Sequence, residues 1–374
     1  MREYRLVSAD GHVNEPPDVW KDRLPNKFQH RAPRMEHMEL GDAWVMEGYD
    51  GPINFGMNAC AGLPPEQVKP WVRWDEVPAH CYDPAARIKA QDDDGVDAEF
   101  LYSTPRIGSA IFLGNSDPEF QVACVRAYND WLSELCSYDP ERLIGLAMMP
   151  TCGVDAAVEE LNRSMKLPGM KSPFLGMWPS GGPTISPADD KFWAAVQEMG
   201  APVSVHGSIS SGGRGDGDSE RVRPGARGEL RGLGMGTAEN CLEFLNAGAF
   251  DRFPNLKVVF AEVESSWVPC ARQTLDDRFK RHGARYFPNI KETPGHYFDH
   301  NIYTTFVLDR YGVMNRHLVG LSQMMWSSDY FHIVCEWPNN WDTIDQDFEG
   351  VPEDEKHLIL AGNAAEVYGL NKGR

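Results

Sequence analysis

The stretch YRLVSADGH at residues 4–12 is a short apolar strand that runs directly into an aspartate and a histidine. Two further runs end in the same way: APVSV at 201–205 precedes His206, and MMWSS at 324–328 precedes Asp329. Five more apolar runs lie between them, and helical patterns separate most of the eight; these five cover residues 97–103, 143–149, 174–178, 256–262 and 301–306. Strand–helix alternation repeated eight times predicts an α/β fold, a (β/α)8 TIM barrel.

The polar residues at the strand ends are the candidates for chemistry, because active sites of such barrels lie where the strands end. Asp10 and His12 are two residues apart, so their side chains point the same way on an extended strand end. A lone histidine such as His206 is more often a packed core residue, but its place at a barrel strand end favours a ligand. With Asp329, these residues predict a site for one divalent metal ion; Zn²⁺ is the expected ion, with Mn²⁺ or Fe²⁺ as alternatives.

Three further residues near these strand ends are candidates for the site. Glu15 follows His12 by three residues and could bind the metal or orient a ligand; a turn carboxylate is the structural alternative. Glu262 ends the sixth apolar run and could act as a base, or form a salt bridge with an arginine. His332 follows Asp329 in the same turn and could orient a group or donate a proton. We predict Asp329, Glu262 and His332 as catalytic residues.

The chain length favours one domain with long loops. The 374 residues exceed the roughly 250 that a TIM barrel needs, so we expect a single barrel domain over 1–374 with loops above the rim. Residues 13–80, rich in Pro, Trp, Met and His, are predicted to form an inserted lid region after the first strand, with room for a small antiparallel element. Residues 207–236 form a Gly-rich loop, which is either a mobile lid or a long surface loop.

Charge and cysteine usage exclude several classes of partner. The formal net charge of −19 disfavours nucleic acid and anionic membrane surfaces. No run reaches the ~18 apolar residues of a membrane span, and the N-terminal residues do not resemble a signal peptide. The eight cysteines form no C-x-x-C pair, which is typical of reduced thiols in a cytoplasmic protein. We therefore expect a small-molecule substrate, without nucleic acid or membrane partners.

The order and spacing of these motifs resemble the amidohydrolase 2 family, the branch of the amidohydrolase superfamily that includes aminocarboxymuconate-semialdehyde decarboxylase. The resemblance spans nearly the whole chain and rests on SADGHVNEPP at 8–17, His206, Glu262 with Trp267 and Pro269, SDYFH at 328–332, GNAA at 362–365 and YGL at 368–370. It implies a metal-dependent barrel enzyme that hydrolyses C–N or C–C bonds, or decarboxylates or hydrates ring-cleavage and aromatic acids. By the same match, Asp10, His12, His206 and Asp329 stand in the metal-ligand positions.

The chain departs from the decarboxylase pattern of that family at two positions. Asp10 replaces the first histidine of an H-x-H pair, and Glu262 stands where the pattern has a sixth-strand histidine. These departures leave the family resemblance intact and weaken the transfer of one particular reaction.

We therefore predict a metal-dependent hydrolase that acts on a small organic or aromatic acid derivative, at a C–N or C–C bond, through a metal-activated water. Asp329 or Glu262 would accept the proton of that water. The alternative is a nonoxidative metal-dependent decarboxylase of an aromatic or unsaturated carboxylic acid. A non-catalytic ligand-binding barrel is the alternative from another class. Since family members are often dimers and eleven tryptophans could pack across a two-fold interface, we expect a homodimer.

Overall fold

A barrel of eight parallel strands forms the body of the protein. The computed structural model describes residues 2–114, 117–207, 209 and 236–371. Its strands are β1 Val7–Val13, β2 Arg34–His37, β3 Asp42–Val45, β4 Ala98–Ser103, β5 Leu143–Met148, β6 Met170–Leu175, β7 Val203–His206, β8 Val258–Ala261, β9 Ile302–Phe306 and β10 Met324–Trp326. All but β2 and β3 join one sheet in chain order, and each neighbouring pair is parallel. The predicted (β/α)8 fold is confirmed.

Helices surround the strands, and some of them begin at a side-chain cap. In the described residues they are α1 Pro84–Asp94, α2 Pro105–Gly114, α3 Pro118–Cys136, α4 Val154–Ser164, α5 Asp190–Met199, α6 Gly236–Asn246, α7 Ala249–Arg252, α8 Val268–His282, α9 Pro294–His300, α10 Arg310–Met314, α11 Arg316–Val319, α12 Asn340–Asp347, α13 Glu353–His357 and α14 Asn363–Val367. Asp83 caps α1 by accepting from the Ala86 N–H, and Asp117 caps α3. None of these helices is both long and apolar enough to cross a membrane.

The inserted region between β1 and α1 contains the predicted antiparallel element. There β2 and β3 pair antiparallel, with Met35 opposite Trp44. Trp20 and Trp44 are both buried, with ring centroids 5.0 Å apart, so the insertion carries its own apolar contacts. Its function as a lid stays a prediction. Most of the predicted Gly-rich loop, residues 208 and 210–235, lies outside the described residues.

One strand begins earlier than the sequence predicts. The sequence places a strand at 174–178, whereas β6 spans Met170–Leu175. Pro173 lies inside it and pairs with Ala147. Proline has no N–H to donate to a ladder, so the sequence pattern places the strand start after it.

The lower end of the barrel interior is filled by side chains. The ring of Tyr368, which follows α14, lies 4.0 Å from that of Phe100 on β4. The Tyr368 hydroxyl lies 3.0 Å from the Ser204 hydroxyl on β7, and both residues are buried. These side chains occupy space in the barrel interior below the rim where the strands end, which is the usual place of the active site in such barrels.

The barrel closes between β1 and β10 through residues at that rim. The Asp329 N–H donates to the Asp10 carbonyl at 3.1 Å, and the His12 N–H donates to the Tyr330 carbonyl at 2.7 Å. We call this junction the seam. Because the seam bonds involve the residues that carry candidate ligands, the closure of the barrel and the geometry of the rim are set together.

Candidate metal centre

Asp10 and His12 both face the barrel interior, and Gly11 between them faces outward. A side chain at Gly11 would collide with the Glu99 carboxylate on β4, so this position faces outward and only glycine fits there. The pairing of β1 with β4 shifts register between Ser8 and Gly11. The D-x-H pair is therefore directed inward by strand alternation and by the local irregularity of β1.

The four predicted ligand residues come together. Asp10, His12, His206 and Asp329 each offer one ligand atom, and these atoms all lie within 4.8 Å of one another. His12 Nε2 lies 3.0 Å from His206 Nε2 and 3.1 Å from Asp329 Oδ1. His206 Nε2 lies 3.5 Å from Asp10 Oδ2. The side chains of Asp10, His12 and Asp329 have no exposed surface, and that of His206 is 13% exposed.

The donor atoms of this cluster fit a divalent cation. Both carboxylate oxygens of Asp10 are buried and have no hydrogen-bond partner in the described part of the chain. Such oxygens are costly in a protein interior unless a cation or a donor faces them. His12 Nδ1 lies 3.0 Å from the Ser103 carbonyl, which can only accept, so Nδ1 carries the hydrogen. His12 Nε2 therefore presents its lone pair to the cluster, as a metal ligand must.

The electrostatics of the cluster favour neutral imidazoles. Burial lowers the pKa of His12 to about 4, and burial together with His12 lowers the pKa of His206 to about 3. Burial raises the pKa of Asp10, and Asp329 and Glu262 add to the rise. Burial opposes ionisation of Asp329 as well, but His332 and His12 hold its pKa below the usual range. Neutral imidazoles can bind a metal ion without first losing a proton.

Two of the predicted catalytic residues lie beside the cluster. His332 Nδ1 lies 2.9 Å from Asp329 Oδ1, and its ring stacks on that of His12 at 3.9 Å. His332 Nε2 is buried and has no partner among the described residues. Glu262 Oε2 lies 3.5 Å from His206 Nε2, and its side chain is 37% exposed. The structure thus brings a His–Asp pair and a more open carboxylate to the same rim.

Backbone strain is concentrated at this rim. Glu262, Glu264 and Asp329 have φ angles of 54°, 55° and 47°, in the left-handed region that side chains other than glycine rarely adopt. Each follows a barrel strand directly or within three residues. Strain of this kind persists where the surrounding structure holds it, and it is frequent at functional sites.

Glu15 lies behind the cluster and is not one of its four residues. Its side chain is buried, and Oε1 accepts from the Thr104 N–H at 3.0 Å. The structure therefore places Glu15 next to the end of β4.

A buried ion pair that the sequence did not predict supports the cluster. Arg87 on α1 donates to Glu99 at 2.8 Å, and it also donates to the carbonyl oxygens of His12 and His80 at 2.9 and 3.1 Å. Both side chains are almost completely buried. Arg87 thereby fixes the main chain of a ligand residue. The available signal was a charged residue, Glu99, inside an otherwise apolar strand.

A pair of hydroxyl groups supports the seam below the ligands. Ser8 Oγ donates to the Asp10 carbonyl at 2.6 Å and lies 2.9 Å from Ser328 Oγ. It also accepts from the Ser328 N–H at 2.9 Å. Ser8 therefore connects the strand of Asp10 to the segment that precedes Asp329.

Comparison with known proteins shows a match of the sequence to a protein family. The family model described as amidohydrolase matches residues 10–370. The chain is 27% identical over 189 residues to a 2-amino-3-carboxymuconate-6-semialdehyde decarboxylase of Dictyostelium discoideum, a match covering 50% of this chain and 49% of the relative. It is 26% identical over 219 residues to a gamma-resorcylate decarboxylase of Rhodococcus jostii, covering 56% and 64%. The matched region thus spans about half to two thirds of these curated relatives.

The fold also matches solved structures along its whole length. A dihydroxybenzoic acid decarboxylase of Polaromonas sp., solved with bound manganese and the inhibitor 2-nitroresorcinol, has a TM-score of 0.68 and 18% sequence identity. The likeness covers 99% of this chain and 98% of that structure. At this identity it establishes the shared fold.

Proposed function

The chain belongs to the amidohydrolase family, and from this membership and the geometry of the centre we propose that it is a metal-dependent, nonoxidative decarboxylase of an aromatic acid. The observation that carries the proposal is the cluster of Asp10, His12, His206 and Asp329, which offers a cation site at the rim where the barrel strands end. The choice of reaction is supported by the relatives above, each named as a decarboxylase. The names of these relatives favour decarboxylation, the alternative predicted from the sequence, over the predicted hydrolysis.

The proposed ligands are the four residues of the cluster. When bound there, a divalent ion would act as a Lewis acid toward the carboxylate or a neighbouring hydroxyl of the substrate. The carboxylates of Asp10 and Asp329 balance the charge of the ion, and the backbone bonds of the seam hold them in place. His206 and Glu262 keep exposed surface and so border the space left for substrate.

Decarboxylation sets a definite demand on proton transfer. The bond between the ring carbon and the carboxylate breaks, CO₂ leaves without the bonding electron pair, and a proton must reach that carbon. We propose His332 as the donor, because its Nε2 has no hydrogen-bond partner among the described residues while Nδ1 is held by Asp329. The Asp329 carboxylate stabilises the protonated imidazole. The substitution His332→Asn keeps a polar side chain at this position and removes the titratable ring.

The test is turnover of 2-hydroxybenzoic and 2,6-dihydroxybenzoic acids by the metal-loaded protein in D₂O. We expect release of CO₂ and one deuterium at the carbon that lost the carboxylate. H332N should retain the metal and lose turnover by about 10²–10⁴-fold, the contribution typical of general acid–base groups. Absence of CO₂ release across hydroxybenzoic acids, with turnover of anilides, esters or lactones, would reject the proposal.

Hydrolysis is the second candidate, and Glu262 is the observation that favours it. The family's decarboxylase pattern has a histidine at this position, whereas here a partly exposed carboxylate lies 3.5 Å from His206 Nε2. A carboxylate at such a place can accept a proton from water. The panel of anilides, esters and lactones in the same experiment measures this activity directly.

Two finer properties are also proposed. Zn²⁺ is expected from the two imidazoles and two carboxylates, and Mn²⁺ must be compared with it because the related decarboxylase structure contains manganese. Activity after loading the chelator-treated protein with each ion decides between them. We also propose a homodimer, to be checked by light scattering: a mass near that of one 41.9 kDa chain would reject it.

A further inference from the structure

One peptide group joins Glu15 to His12. The peptide bond between Ser103 and Thr104 accepts on its oxygen from His12 Nδ1–H at 3.0 Å. The N–H of the same peptide group donates to Glu15 Oε1 at 3.0 Å. The order is therefore carboxylate, peptide group, imidazole, with His12 Nε2 directed at the metal cluster.

Such a chain of hydrogen bonds polarises in one direction. A negative carboxylate on the N–H of a peptide group shifts electron density toward the oxygen of that group. The oxygen then accepts more strongly from the imidazole N–H, and the other ring nitrogen becomes a better ligand. Metal-bound histidines commonly donate their second N–H to a carboxylate or a carbonyl, and this outer partner fixes the ring and raises its basicity.

We propose that Glu15 is a positioning residue that strengthens His12 as a metal ligand through the Ser103–Thr104 peptide group, without binding the metal itself. The inference rests on the metal site of the proposed function. It gives Glu15 a definite action through another residue in place of the direct ligation that its spacing from His12 allowed.

The surroundings of Glu15 favour this action. The residue is 1% exposed, so solvent screens its charge little. Its second oxygen, Oε2, is buried and has no hydrogen-bond partner among the described residues. The peptide group is also fixed from the other side, because Thr104 Oγ1 donates to the Val13 carbonyl at 3.1 Å. Burial raises the pKa of Glu15 to about 7, so the carboxylate is ionised at pH 8.5.

Glu15→Gln is the matched test, since its amide oxygen can still accept from Thr104 while the charge is removed. The experiment measures the Zn²⁺ dissociation constant by chelator competition at pH 8.5, the melting temperature of the metal-free protein, and the NMR shift of His12 Nδ1–H in the Zn²⁺ form. We expect about tenfold weaker binding, the lower end of the range for outer-shell changes. The Nδ1–H resonance should move upfield, as its hydrogen bond weakens.

The metal-free E15Q protein should melt at the same temperature as wild type or higher. A carboxyl with a pKa above its unfolded value of about 4.5 destabilises the fold at alkaline pH, and glutamine removes that charge. A purely structural role for Glu15 predicts the opposite, a lower melting temperature. Weaker Zn²⁺ binding combined with undiminished metal-free stability is therefore the signature of the proposed role.

Tyr128→Phe is the control for disturbance of the same interior. The Tyr128 hydroxyl is buried and has no hydrogen-bond partner within the described ranges. The charge of Glu15 acts on it, but it is no member of the hydrogen-bond chain. Its removal should leave Zn²⁺ affinity within twofold of wild type. Equal losses in E15Q and Y128F, or affinity within twofold in E15Q, would overturn the proposal. Failure of the wild-type protein to bind Zn²⁺ would instead reject the proposed metal site.

Discussion

On the seam side of the metal centre, Asp10, His12 and Asp329 have no exposed surface, whereas on the opposite side His206 and Glu262 are 13% and 37% exposed. The seam side is held by main-chain hydrogen bonds across the barrel closure. On the opposite side, His206 ends β7 and Glu262 follows β8. From this difference we expect the seam half to fix the position of the proposed ion and the open half to contact the substrate.

Asp10→Asn should have the largest effect because it removes the charge of a ligand that has no exposed surface. Both Asp10 oxygens are buried and have no hydrogen-bond partner among the residues that the structure describes, so a bound cation would balance their charge. We expect metal affinity to fall at least 10²-fold and turnover by 10³-fold or more. Elemental analysis after dialysis and a circular dichroism spectrum check this result. Full metal occupancy in a folded D10N protein would contradict the division into two halves.

Glu262→Gln should separate catalysis from metal binding on the open half. The residue is partly exposed and is not one of the four clustered ligands, so metal content should stay within twofold of wild type. Decarboxylation should persist within about tenfold, while any hydrolytic activity should fall by about 10²–10⁴-fold. Steady-state kinetics on both substrate classes gives the answer. Loss of metal would move Glu262 into the coordination sphere and erase the contrast.

Ser8→Ala and Ser172→Ala form a matched pair on the two sides of the barrel. Ser8 links to Ser328 across the seam, while Ser172 links to Ser204 between β6 and β7, each through hydroxyls 2.9 Å apart. Each substitution should cost about 1–2 kcal/mol of the free energy of unfolding. Only S8A should also weaken metal binding, by about threefold to tenfold. Urea denaturation of the metal-free proteins and chelator competition measure the two effects; equal metal affinities would show that the seam does not position the ligands.

Glu264→Gln should have the smallest effect and should appear only in stability. Burial, with Asp309 adding to it, raises the pKa of Glu264 to about 8, above the unfolded value of about 4.5. The folded state therefore holds the proton more tightly, and stability is lost as pH rises from about 4.5 to 8. Relative to wild type, E264Q should melt at about the same temperature at pH 4.5 and about 2–4 °C higher at pH 9. A gain that is equal at both pH values would exclude ionisation of Glu264 as its cause.

The residues that the sequence predicts well are those whose position follows from strand geometry alone. Asp10, His206 and Asp329 each end an apolar run, and the barrel brings all such ends to one rim. The start of β6 could not be placed, because Pro173 is a strand breaker in the sequence pattern and a tolerated residue in the fold.

The residues that the sequence could not resolve depend on contacts between distant elements. Arg87 and Glu99 are each ordinary charged residues until α1 packs behind β4. Glu15 has the spacing of a ligand, but the path of the chain after β1 directs its carboxylate to Thr104. The link to His12 exists because Ser103 and Thr104 share one peptide bond. The spacing of residues 10–15 cannot predict a contact with that bond.

The seam also determines when the centre can form during synthesis of the chain. It joins residues 10–12 to residues 329–330, and the Ser8–Ser328 contact spans 320 positions of the chain. During synthesis at about 5–20 residues per second, Asp329 follows His206 by about 6–25 s. Throughout that interval the growing chain contains Asp10, His12 and His206, but the seam hydrogen bonds to residues 329–330 have not yet formed. The four residues come together only once β10 has joined the barrel. We therefore expect the bound ion to depend on which ions are available to the completed chain.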